Sequence, residues 1–128
     1  MFLQNLNFDQ QRVFLKLANE MILSDNVLTA AEDKLIAEIR LQLPSNIEAA
    51  ANFGPLETIF STKKTRCSVL LEIIGIGFVD EEFNKLEQEY VFALGDRLQI
   101  DTSEISFLIK WVEKQFNLMK EINSMMGD

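Results

Sequence analysis

The sequence contains no histidine. That absence removes Ser-His and Cys-His nucleophile pairs, histidine-ligated zinc, and the side chain most used for proton transfer near neutral pH. A catalyst built from this chain would need carboxylates, a lysine or a cofactor, so the composition points away from an enzyme. A single cysteine, Cys67, leaves no internal disulfide to form, which fits a reducing cytoplasm. It lies in an apolar helical stretch, where a packing role is expected rather than a reactive thiol. Basic residues are also scarce, 12 against 20 acidic ones, for a net charge of −8. Nucleic-acid affinity comes mainly from Lys and Arg on phosphates, so this balance argues against a nucleic-acid binder, and likewise against docking on anionic membranes. The opening Met1-Phe2-Leu3-Gln4-Asn5 has neither the basic start nor the apolar run of a secretory signal. The longest apolar run, residues 69–79, contains Glu72 and two glycines and is too short to span a bilayer. A cytoplasmic protein with no membrane insertion is expected.

Strand signals are absent too. Apolar residues recur at helical spacing throughout, and turn signals fall between the periodic segments, so the expected fold class is all-α: a single-domain bundle of six or seven helices over residues 1–128. The hydrophobic fraction, 48% with 25% charged residues, is enough for a real core in a chain of 128. The spacing predicts a first helix from about Asp9 to Ser24, with Val13, Phe14, Leu17 and Met21 inward. Thr29-Ala30-Ala31-Glu32 reads as a capping box opening a second helix, whose inner stripe is Leu35, Ile36, Ile39 and Leu43 and which Pro44 stops. Ser45-Asn46-Ile47-Glu48 predicts a short helix through Ala51, and Leu56, Ile59 and Phe60 a further helical turn. A long, mostly apolar helix over about residues 62–79 is expected at the centre. Gly75 and Gly77 in it would admit a neighbouring backbone. Asn84-Lys85-Leu86-Glu87 and Asp101-Thr102-Ser103-Glu104 open the last two helices. The final helix carries a core stripe of Ile105, Leu108, Ile109, Val112, Phe116 and Met119, with Met125 and Met126 read as a frayed tail.

Two halves of the chain repeat with a shift of 55 positions. Asp25-Asn26-Val27-Leu28-Thr29-Ala30-Ala31-Glu32 then falls on Asp80-Glu81-Glu82-Phe83-Asn84-Lys85-Leu86-Glu87. In both, an Asp closes an apolar helix, an apolar residue comes three positions on, and then a capping residue and a Glu. The repeat units cover about residues 10–48 and 65–105. With these turns the chain resembles the TerB-like tellurite-resistance family, whose units join an apolar helix through an Ala-Asp-Gly-type turn to a Glu opening the next helix. The family's Gly after each Asp is here Asn26 and Glu81, and Glu takes left-handed backbone geometry less readily than Asn. The resemblance spans about residues 10–118. It implies a bacterial, non-enzymatic domain linked to tellurite and other stress resistance, with the acidic turns brought near one another by pseudo-twofold packing.

Four converging carboxylates, Asp25, Glu32, Asp80 and Glu87, would repel one another unless a cation neutralised them. Oxygen-only ligands favour Ca²⁺, Mg²⁺ or Mn²⁺. Neither turn has the EF-hand ligand pattern. The competing explanation is structural: Glu32 and Glu87 stand where a capping box places its Glu, at the positive end of a helix. A carboxylate enzyme working around Mg²⁺ is a further, weaker alternative. The basic cluster Lys63-Lys64-Thr65-Arg66 stands at a helix start, where positive charge is unfavourable and calls for compensation or solvation. The last helix also bears a second apolar stripe, Phe107, Trp111, Leu118 and Ile122. It is expected either to be wrapped by other elements or to form a surface for a protein partner or for dimerisation.

Overall fold

The fold is that of a computed structural model, which describes residues 2–23, 30–79 and 83–127. Among these residues the protein is all-helical and has no strand. A 3-10 turn, Leu3–Asn5, leads into α1 (Phe8–Ile22), α2 (Ala30–Leu41), α3 (Leu56–Ile59), α4 (Lys63–Phe78), α5 (Lys85–Arg97) and α6 (Thr102–Met126). The helix starts keep the repeat offset: α1 and α4 begin at residues 8 and 63, α2 and α5 at residues 30 and 85. The caps share it as well. Asn7 and Thr62, also 55 apart, each close a reciprocal box, with Gln10 and Thr65 respectively. The Asn7 box, invisible among the polar residues that surround it in sequence, satisfies two of the orphan N–H groups at the start of α1.

α4 is the hub, as its all-round apolar character requires. The 3-10 turn, α1, α5 and α6 all pack on it, and Val69, Leu70, Ile73, Ile74 and Ile76 are buried. Two members of its N-terminal basic cluster have local partners. Lys63 meets Glu104 on α6 at 2.8 Å. Arg66 donates to the carbonyls of Phe60 and Glu57, satisfying C-terminal acceptors of the short α3. α5 is locked at both ends. Asn84 and Glu87 form the expected box. At the other end Gln99 takes a left-handed conformation (φ 59°), so that Gln99 N–H reaches Asp96 O and Ile100 N–H reaches Gly95 O.

Four expectations fail. Ser45 opens no helix: residues 44–47 form a turn, and the chain then continues without regular secondary structure, with Ala50 N–H on Arg12 O and Glu48 O accepting from Arg12 Nε. Long-range bonds satisfy part of this segment's backbone in place of helical ones. α2 stops at Leu41 rather than at Pro44, so Leu43 is buried beyond the helix. Gly75 admits no neighbour, because a Cβ there would meet nothing within 4 Å. Gly77 faces side chains rather than backbone, Phe83 and Met21. Met119, assigned to the core, is exposed.

Candidate functional site

The two helices that precede the acidic turns in sequence, α1 and α4, end side by side. α1 and α4 lie side by side with their C-termini together, since Met21 Cε would approach a Cβ on Gly77 to 2.9 Å. α5 folds back along α1, and its Tyr90 hydroxyl donates to Leu17 O and to the Glu20 carboxylate. Burial and the Glu20 charge push the Tyr90 phenol well above its ordinary range. Glu32 and Glu87, equivalent in the repeat, are each only 2% exposed. Glu87 Oε1 accepts from Asn84 N–H at 3.1 Å, and Asn84 Oδ1 accepts from Glu87 N–H at 2.8 Å, so capping accounts for one oxygen of this carboxylate. Asp25 and Asp80, with the expected Thr29 cap and Ser24, lie outside the described residues. Among the described residues, no three His, Cys, Asp or Glu side chains gather into a group sized for a metal ion.

The α6 stripe is the second candidate. α6 runs beside α4 in the same direction: Glu104 is level with Lys63, and Phe78 packs on Phe116 with ring centres 5.9 Å apart. α4 therefore ends at the level of Phe116, while α6 continues to Met126. At 1.5 Å per residue this leaves an overhang of about 15 Å. Along the stripe Trp111 is half-buried under Phe2, ring centres 5.8 Å apart. Phe107, Leu118 and Ile122 are exposed at 65%, 60% and 45%. Among the described residues the stripe is therefore covered at Trp111 and open at Phe107, Leu118 and Ile122. Met119, Met125 and Met126 are exposed on the same overhang and extend it. They were hidden in the sequence because helical spacing shows which residues share a face, not whether a neighbour is long enough to cover it.

Beside Phe107 opens a cleft of about 450 Å³ between the starts of α4 and α6, lined by Lys63, Cys67, Ser103, Glu104, Phe107 and Leu108. Cys67 is half-buried, and desolvation pushes its thiol up, which keeps it in the weakly nucleophilic protonated form.

No protein-family model, no curated protein and no solved structure matches the chain. The TerB resemblance therefore stands on the two turn motifs and the repeat. No helix among the described residues is long and apolar enough to cross a membrane.

Proposed function

We propose that this chain is a non-enzymatic binding module that docks a protein partner on the exposed apolar face of α6. The observation that carries this reading is the overhang. Beyond Phe116, Leu118, Met119, Ile122, Met125 and Met126 all remain exposed on one ten-residue stretch of helix. Burying such side chains is worth about 1.5–3 kcal/mol each, so leaving five of them together in water favours a covering partner. The absence of histidine supports the non-enzymatic part. The lone cysteine fits a cytoplasmic location, and the bacterial, stress-response role rests on the TerB-like turns. A photo-cross-linking residue at position 118 or 122 is expected to give a protein adduct in cells. The same residue at exposed position 113, on the opposite side of α6, should give none. Equal capture from 113, or none from 118 and 122, contradicts the reading.

A second reading is favoured by the closeness of α1 and α4 near their C-termini and by the matched burial of Glu32 and Glu87. In it Asp25, Glu32, Asp80 and Glu87 hold Ca²⁺, Mg²⁺ or Mn²⁺ through carboxylate oxygens, where the cation would offset their mutual repulsion. Calorimetric titration with each ion tests it. Saturable heat abolished by Asp25→Asn and by Asp80→Asn supports the cation, and absence of heat removes it.

A further inference from the structure

We infer that the occupant of the α6 face is a second copy of this chain, paired antiparallel along α6. This rests on the docking reading above and names its partner.

Charge sets the first argument. The protein carries −8 overall, so two copies repel across most of their surfaces. Residues 110–127 are close to neutral and of mixed sign, unlike the all-basic start of α4: Lys110, Lys114 and Lys120 against Glu113 and Glu121 give a local +1. Two molecules can approach each other there with the least electrostatic opposition.

The second argument is complementarity. At 100° per residue, Lys114 and Glu121 lie on the same edge of the exposed stripe, next to Leu118 and seven residues apart. An antiparallel pair centred between Asn117 and Leu118 sets Lys114 of each copy opposite Glu121 of the other. A parallel pair would instead carry this edge of the two copies to opposite sides of the interface, where Lys114 and Glu121 of different copies do not meet. The same register brings Met125 of the second copy level with Lys110, next to Trp111 and about one helical turn from Phe107, which helps line the cleft. A flexible thioether suits an aromatic-edged opening of that kind. The overhang of one copy thus covers the exposed bundle-level part of the stripe on the other, and the reverse, as a twofold interface requires.

Sedimentation analysis of the full chain over a wide concentration range tests the pairing. The wild type is expected to dimerise reversibly. Lys114→Glu and Glu121→Lys should each weaken the dimer by about tenfold or more, since each turns two attractive pairs into two repulsive ones. The double variant Lys114→Glu/Glu121→Lys should restore it. Lys114 and Glu121 are both exposed, so circular dichroism is expected to show unchanged helix in every variant. A monomer at all concentrations overturns the pairing, as does a dimer indifferent to the single reversals or not restored by the double. A monomer still cross-linked through position 122 to a different protein also overturns it, while the broader docking reading survives.

Discussion

The two halves of α6 obey different rules. From Thr102 to Phe116 the helix is held by its neighbours: Ile105 and Val112 are buried, Phe116 stacks on Phe78, and Glu104 pairs with Lys63. From Asn117 to Met126 the sequence remains as apolar, yet every large hydrophobic side chain is exposed. The same periodic pattern therefore serves folding in one half and surface in the other. What separates them is the length of α4, which ends level with Phe116. On the docking reading, the apolar face beyond Phe116 is there for a partner rather than for the fold.

Substitutions sharpen that contrast, beginning with the supported half. Ile105→Ala empties a buried site against α5 and should cost about 2–5 kcal/mol in denaturant unfolding. On the facing helix, a Cβ at Gly95 would collide with the Ile105 side chain, so Gly95→Ala should destabilise by about 1–2 kcal/mol despite its better helix propensity. A similar loss from Leu118→Ala in the monomer would erase the distinction between the halves.

Tyr90 gives a pH signature confined to the bundle. Its phenol is raised in the folded state, so the neutral form is the one the fold favours. Its contribution is complete below the unfolded value of about 10 and declines as pH rises beyond it. The urea midpoint should fall above about pH 10, and Tyr90→Phe should flatten that fall. Gly75→Ala gives the smallest effect, and of the opposite sign. It enters open space within a helix, where a cleft of about 160 Å³ separates α2 from α4, and should stabilise by about 0.5–1 kcal/mol.

The repeat, the all-α class and the caps at Asn84 and Asp101 were legible because each is local: a short polar residue, a spacing, an apolar run. Ser45 carries the same local signal as Asn84 yet opens no helix. The residues C-terminal to each cap make the difference. α5 buries Val91 and Leu94 over three turns, whereas the Ser45 segment gives its backbone bonds to Arg12, far away in the chain. Asp101 is only partly like Asn84. It accepts from Glu104 N–H, but the Glu104 carboxylate goes to Lys63 instead of closing the box. The glycines show the same limit. Gly75, Gly77 and Gly95 are alike in sequence, but only the packing of Phe83, Met21 and Ile105 says which of them must stay small. For the candidate sites, the repeat pairs Glu32 with Glu87 and periodicity sets out the α6 stripe, but the burial of both glutamates was not legible. The membership of Met119, Met125 and Met126 in the stripe was not legible either, since it depends on where α4 stops.

Whether the distal half of α6 belongs to the fold or to an encounter is tested most directly by one comparison. It sets the urea unfolding of the wild type against that of Leu118→Ser/Ile122→Ser, each at several protein concentrations. The account predicts the same midpoint for both at high dilution, with a concentration-dependent rise in the wild type that the double variant lacks. A double variant destabilised at every concentration, to the degree of a core substitution, would contradict it.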